Sequence, residues 1–102
     1  MKFKKPTLLV DEAKALQNID RIIKKAARSN TAVWPHFKTH QSLDIGNWFK
    51  EARIAGITVS SVSMARYFAS GNWPNIYSAF PVNINEIDDI ARLAEMVNLT
   101  LA

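Results

Sequence analysis

The chain has no cysteine and only three glycines among its 102 residues. Without cysteine, neither a disulfide framework nor a thiolate metal site is possible, and because such a composition fits a reducing compartment we expect the cytoplasm. The chain has neither the dinucleotide-binding pattern nor the P-loop pattern, so it encodes no glycine-rich phosphate-binding loop. These absences exclude a disulfide framework, a thiolate metal site and a glycine-rich phosphate-binding loop.

Long apolar runs are also absent. Residues 1–6 are basic, but only residues 8–10 form an apolar run behind them, which is too short for a signal-peptide core or a membrane span. The formal net charge is +4, yet the basic residues are scattered and mixed with acidic ones. Their densest internal group, Lys24, Lys25 and Arg28, is typical of a solvated helix face. We therefore expect neither a membrane nor a nucleic-acid partner.

The patterns that are present alternate between helix and strand. Apolar spacing predicts helices over residues 13–28, 43–55, 64–70 and 84–97. Runs rich in β-branched residues predict strands at residues 31–34, 57–62, 76–80 and from 98 onward. The expected helix N-caps are Asp11, Ser42, Ser63 and Asn83. We expect Gly56 to end the second helix in the left-handed conformation.

Two helices have apolar stripes that predict buried faces. On the first helix we expect burial of Leu16, Ile19, Ile22, Ile23, Ala26 and Ala27. On the last helix we expect burial of Ile87, Ile90, Ala91, Ala94 and Val97. Both stripes would cover a central sheet.

The alternation predicts an α/β fold with a parallel sheet, because right-handed crossovers join such strands through helices. A closed (β/α)8 barrel needs about 250 residues, so we expect a partial barrel with about four parallel strands alternating with helices. Residues 1–102 would form a single partial domain. Because a partial barrel has unpaired edges, the chain would be a piece of a larger protein, associate with another copy, or form an open sheet.

A lysine between two histidines follows the predicted strand at residues 31–34. Loops after parallel strands meet at the carboxyl end of the sheet, where enzymes build their sites. A deprotonated Lys38 there could attack a carbonyl and form a Schiff base, and His36 and His40 could supply positive charge that lowers its pKa. In an extended loop all three side chains would point to one side. Alternatively, Lys38 is an exposed loop lysine and the histidines bind local backbone groups.

A zinc site is the other chemistry that this segment suggests. Neutral His36 and His40 could bind zinc together with a carboxylate such as Asp44. We do not favour this site, because the cationic Lys38 between the histidines would oppose a metal ion. We therefore predict no metal ligand.

Residues 35–40 read P-H-F-K-T-H, which resembles the P-H-x-K-T-H signature of the D-threonine aldolase and D-serine dehydratase group. The N-terminal domain of that group resembles the one of alanine racemase. The likeness extends to residues 6–11, 57–65 and 79–82, so it covers nearly the whole chain. At two positions the chain departs from the usual arginine before the proline and lysine after the second histidine, and here these residues are Trp34 and Gln41.

This resemblance implies a pyridoxal-phosphate enzyme of the barrel type with an amino acid as its small-molecule substrate. The reaction would be aldol cleavage or dehydration of a D-3-hydroxy amino acid, or racemisation. Lys38 would be the catalytic residue that forms the internal aldimine, and His36 and His40 would help to bind the cofactor. A divalent metal would belong to a C-terminal domain outside this sequence.

Two hypotheses follow for the chain as it stands. In the first, it is the N-terminal portion of a pyridoxal-phosphate lyase or racemase and is inactive, or nearly so, alone. In the second, it is a catalytically inactive α/β half-barrel module that assembles with a partner or a second copy through its open sheet edges.

Overall fold

The computed structural model describes residues 1–102, the whole of the chain. Its regular elements are α1 Glu12–Arg28, α2 Leu43–Glu51, β1 Ile57–Val59, α3 Val62–Ser70, β2 Asn75–Ser78, α4 Ile87–Met96 and β3 Asn98–Leu101. Two short 3-10 turns, Phe37–Thr39 and Ile84–Glu86, precede α2 and α4. None of the helices is both long enough and apolar enough to span a membrane.

The three strands form one parallel sheet in the order β1, β2, β3. Each is joined to the next by a helix, so the predicted α/β fold with parallel strands is confirmed. The expected strand at residues 31–34 does not form. Instead this segment meets β1 by one parallel bridge between His36 and Thr58. Thr58 N donates to Pro35 O at 2.9 Å, and since proline has no N–H to return, no longer ladder forms there.

The helix starts follow side-chain caps. Asp11 accepts a hydrogen bond from Lys14 N at the start of α1, and Ser42 accepts one from Ile45 N at the start of α2, as the sequence predicts. At α3 the cap is Ser61, which accepts from Met64 N at 3.1 Å. The predicted cap at Ser63 was wrong, because the Ser61 side chain offers a hydroxyl two residues earlier. The helix therefore begins at Val62, and the strand before it, β1, ends at Val59.

Gly56 does not adopt the left-handed conformation that the sequence suggests. The residue after α2 with a positive φ is Arg53, at 64°. Gly56 is needed for space instead, because the ring of Trp34 lies against it and a Cβ there would be 2.7 Å from ring carbons. Glycine at this position lets residue 34 pack directly on the backbone that leads into β1.

The start of α4 combines a 3-10 turn with the predicted cap residue. The Asn83 side chain accepts from Asn85 N at 3.1 Å, while α4 itself has no side-chain cap. The helix buries Ile90 and Leu93. Ile87 is 46% exposed, and Ala91 and Ala94 are also exposed, so the predicted stripe is wrong at these three positions.

The core lies between one face of the sheet and the helices. Its largest fully buried side chains are Trp73, Phe37, Phe68, Ile57, Ile76 and Val59. From α1 the only buried residue is Ile19. Leu16 and Ile22 are 39% and 53% exposed. The predicted stripe on α1 therefore exists, but most of it faces solvent.

Candidate functional site

Residues 35–40 form a tight turn at the carboxyl end of the segment that bridges to β1. The loop is not extended, because residues 37–39 close into a 3-10 turn, so the alternation that would place all three side chains on one side does not apply. His36 Nδ1 accepts from Lys38 N at 3.2 Å, and Gln41 N donates to Phe37 O at 2.9 Å. These two bonds fix the backbone on both sides of the lysine.

Phe37 anchors this turn to the core. Its side chain is fully buried. Its ring centroid lies 4.9 Å from that of Phe68, 5.2 Å from that of Phe49 and 5.3 Å from that of Trp73. Because a packed aromatic residue leaves little rotational freedom, the backbone of Lys38 is held by its neighbour in the sequence.

Lys38 itself is exposed and takes part in no ion pair. The Gln41 side-chain amide donates to Lys38 O at 3.3 Å. Gln41 also has a φ of 48°, which lies in the left-handed region and reverses the chain after the turn. The backbone of the lysine is therefore fixed while its amine is accessible to a ligand.

His36 is neutral at pH 7. Burial lowers its pKa below the ordinary value of 6.5, and the charge of Lys38 lowers the pKa further. The lowered pKa therefore disfavours the positive charge that the sequence suggests for this histidine. Since Nδ1 accepts from a backbone N–H, the proton of the neutral ring is assigned to Nε2.

His40 lies on the other side of the turn, among the aromatic side chains of the core. Its ring centroid is 4.5 Å from that of Phe37 and is stacked on Phe49 at 5.9 Å. Nδ1 accepts from Ser42 N at 3.0 Å, while Nε2 is buried without a hydrogen-bond partner. Burial lowers the pKa of His40, so this ring is also neutral at pH 7. The three side chains do not share one polar face.

Four polar side chains, which we call the polar row, lie side by side across the sheet. The strand pairing aligns His36 with Thr58, Thr58 with Tyr77, and Tyr77 with Thr100. Because neighbouring residues of a strand point to opposite faces, this row lies on the face away from the core. We call it the open face. Sequence reasoning identified only the first member, since the others depend on strand register.

A second polar pair extends the open face towards the amino end of the strands. Asn98 Nδ2 donates to Asn75 Oδ1 at 2.9 Å, and Asn75 Nδ2 donates to Ala55 O at 2.8 Å. These bonds tie β3 to β2 and β2 to the residue before Gly56. The polar character of this face therefore extends over two successive rows.

The zinc alternative is not supported by the geometry. His36, His40 and Asp44 do not come together, and no group of three His, Cys, Asp or Glu side chains in the chain could hold a metal ion. The flanking hydrogen bonds use Nδ1 of both histidines.

Comparison with known proteins connects this geometry to a group of enzymes. No family model matches the chain. The chain is 31% identical over 93 residues to D-serine dehydratase of Dictyostelium discoideum, which is 86% of this chain and 23% of that protein. D-threo-3-hydroxyaspartate dehydratase from Delftia sp. HT23 superposes with a TM-score of 0.85 at 24% identity, over 90% of this chain and 24% of that one.

An alanine racemase-like protein from Idiomarina loihiensis has a TM-score of 0.81 at 27% identity, over 96% of this chain and 26% of its own. The chain has a D-serine dehydratase/alanine racemase-like fold. It spans about a quarter of the length of the proteins that it matches. The parallel sheet is thus consistent with a partial barrel.

Proposed function

We propose that the chain is the N-terminal portion of a pyridoxal-phosphate-dependent enzyme that acts on amino acids, with Lys38 as the attachment point of the cofactor. The observation that supports this most is the exposed Lys38, held on a rigid turn at the carboxyl end of a parallel sheet. It stands at the place where this class of sheet builds its sites. The likeness to two dehydratases and a racemase-like protein supports the same assignment.

The residues of the turn and the open face fit such a group. Lys38 is exposed and takes part in no ion pair, and residues 35–41 contain no carboxylate. When bound, pyridoxal phosphate supplies an electron sink for breaking a bond at or next to the α-carbon of an amino acid. No glycine-rich loop in this chain would hold its phosphate.

The two histidines have different tasks in this proposal. His36 fixes the turn through Nδ1 and presents an Nε2–H on the side of the polar row, where it can donate to the cofactor or substrate. His40 supports the turn from the core, where its Nε2 is buried without a hydrogen-bond partner. We propose that His36 helps to bind the cofactor directly, and that His40 does so by holding the turn that carries Lys38.

The reaction class proposed is dehydration or aldol cleavage of a D-3-hydroxy amino acid, with racemisation as the alternative. The likeness to D-serine dehydratase favours dehydration. A divalent metal, where the reaction needs one, would be bound by residues outside these 102. The absence of cysteine supports the cytoplasm as the proposed location.

Reductive labelling tests the attachment point. The chain is incubated with pyridoxal phosphate, reduced with borohydride, digested and analysed by peptide mass mapping. We expect the cofactor mass mainly on Lys38, and a loss of most labelling in Lys38→Ala but not in the matched Lys25→Ala, which removes an exposed helix lysine. Even labelling of surface lysines, unchanged by Lys38→Ala, would contradict the proposal.

A second function is favoured by a separate observation, the apolar surface around α1. A groove of about 320 Å³ between α1 and α2 is lined mainly by apolar side chains, and β3 is an edge strand with mostly exposed residues. We infer from these that an inactive half-barrel module could assemble with a partner or a second copy. Size-exclusion chromatography with light scattering would test self-assembly, and a monomer that melts cooperatively at all concentrations would contradict it.

A further inference from the structure

We propose that the polar row faces the ligand that Lys38 holds, and that the Tyr77 hydroxyl donates a hydrogen bond to a polar group of bound pyridoxal phosphate. This inference rests on the proposed function and adds a ligand-positioning residue to it. Tyr77 lies on β2, far from the lysine in sequence.

The two faces of the sheet present different side chains. On the helix side the strands present Ile57, Val59 and Ile76 to the core, and Leu99 packs against it. The open face presents Thr58, Tyr77 and Thr100 at the positions between them. Alternate residues of the same three strands form the two faces, so the faces differ in the side chains that they present.

The side chains of the open face restrict what can cover it. The interior of a (β/α)8 barrel is commonly filled by bulky branched apolar side chains. Thr58 is already buried and its hydroxyl bonds to Trp34 O. The other polar groups of the row, covered by apolar atoms, would lose hydrogen bonds to water without replacement, at a cost of roughly 1–3 kcal/mol each. The polar row is therefore suited to a polar occupant and unsuited to an apolar packing partner.

Tyr77 differs from the other members of the polar row. The Thr58 hydroxyl is already used, since it donates to Trp34 O at 2.9 Å. His36 Nδ1 is used by Lys38 N, which leaves Nε2–H for the contact proposed above. Thr100 lies on the edge strand and is exposed. Tyr77 lies on the central strand, is half-buried, and carries the longest side chain of the row.

Strand pairing connects Tyr77 to the segment that carries Lys38. His36 bridges to Thr58, and Thr58 is paired with Tyr77, so the tyrosine is two strand spacings of roughly 4.8 Å from the histidine. The histidine in turn accepts a hydrogen bond from the lysine backbone, and the charge of Lys38 lowers its pKa. A ligand attached to the lysine therefore lies beside a row that leads to the tyrosine.

The experiment is a titration of the chain with pyridoxal phosphate, followed by its absorption and by the fraction of Lys38 labelled after reduction. We expect Tyr77→Phe to raise the apparent Kd about three- to tenfold, as the loss of one hydrogen bond implies, with an unchanged melting temperature. The matched control is Tyr67→Phe, whose hydroxyl accepts from Leu43 N on the helix side. This control should leave the Kd unchanged.

The outcomes separate this inference from the function on which it rests. If Lys38 is labelled selectively and Tyr77→Phe binds within twofold of the parent chain, the role of Tyr77 is wrong while the attachment point stands. If Tyr77→Phe and Tyr67→Phe weaken binding equally, the effect is structural and the inference is also wrong. If Lys38 is not labelled selectively in the parent chain, the proposed function itself fails.

Discussion

The two faces of the sheet differ in burial and in side-chain chemistry. The helix side is a closed core in which Phe37, Phe68 and Trp73 are almost fully buried. The open face bears the polar row and Lys38 stands at its edge. From this difference we infer that the helix side sets the stability of the fold, whereas the open face sets what the fold can bind. Substitutions on the two faces should therefore change different measurements.

The largest effect is expected for Phe37→Ala. The substitution removes a ring from the centre of the core, and such a truncation costs about 3–5 kcal/mol of unfolding free energy. Denaturant unfolding measures the loss. Phe80→Ala is the matched control, since Phe80 is 59% exposed and its truncation should change the unfolding free energy by no more than about 0.5 kcal/mol. Equal losses of unfolding free energy in the two variants would contradict the position of Phe37 at the centre of the core.

A smaller effect is expected for Gly56→Ala. The new methyl group would meet the ring of Trp34, and overpacking of this kind costs about 1–3 kcal/mol. The unfolding free energy of the single and double variants is compared. In Trp34→Ala the added methyl has room, so Gly56→Ala should cost less there. An equal cost in both backgrounds would mean that the glycine is needed for its backbone and not for space.

Next in size is the cap of α3, the helix that covers β1 and β2 on the helix side. Ser61→Ala removes the hydroxyl that accepts from Met64 N and should cost about 1 kcal/mol. Ser63→Ala is the control, because Ser63 caps no helix. The urea midpoints of the two variants show which serine caps α3. A larger loss in Ser63→Ala would restore the cap that the sequence pattern suggested.

Stability should also fall as the pH is lowered. Burial lowers the pKa of both histidines below 6.5 in the folded chain, so the unfolded chain binds protons first. The unfolding free energy that the two neutral histidines contribute is fully present above about pH 6.5, and it is lost as the pH falls through their pKa values in the folded chain. Denaturant midpoints measured from pH 8 to pH 5 should decline only below neutrality. His40→Gln should flatten the decline, and a midpoint that rises on acidification would contradict the burial of these rings.

The smallest effect on stability is expected on the open face. Tyr77→Phe and Thr100→Val should change the unfolding free energy by no more than about 0.5 kcal/mol, because their hydroxyls project away from the core. Denaturant unfolding under the conditions used for Phe37→Ala gives the direct contrast. A loss of several kcal/mol from either variant would remove the distinction between the faces.

Local patterns were sufficient for much of the fold. The apolar spacing and the caps Asp11 and Ser42 place α1 and the start of α2 correctly, because both signals act within a few residues, whereas α2 ends at Glu51 and not at the predicted residue 55. The predicted strand at residues 31–34 failed because Pro35 prevents a continuous ladder. The burial of the α1 stripe failed because spacing reports which residues share a face, whereas burial depends on what covers that face.

The candidate site was predictable only in part, for the same reason. The segment at residues 35–40 identifies Lys38, since its residue types stand together in the sequence. Tyr77 and Thr100 join His36 only through strand register, which no local pattern specifies. Trp73 shows the same limit, because it lies in a turn sequence next to Pro74 and is nevertheless 1% exposed.

The most direct test of the division between the faces is an amide NMR titration of the chain with pyridoxal phosphate. The account predicts the largest chemical-shift changes at Lys38 and along the polar row, Thr58, Tyr77 and Thr100. Amides of α1 should hardly change, and Lys38→Ala should abolish the shifts of the row. Chemical-shift changes spread over the amides of the basic residues of α1, and retained in Lys38→Ala, would contradict a ligand site on the open face.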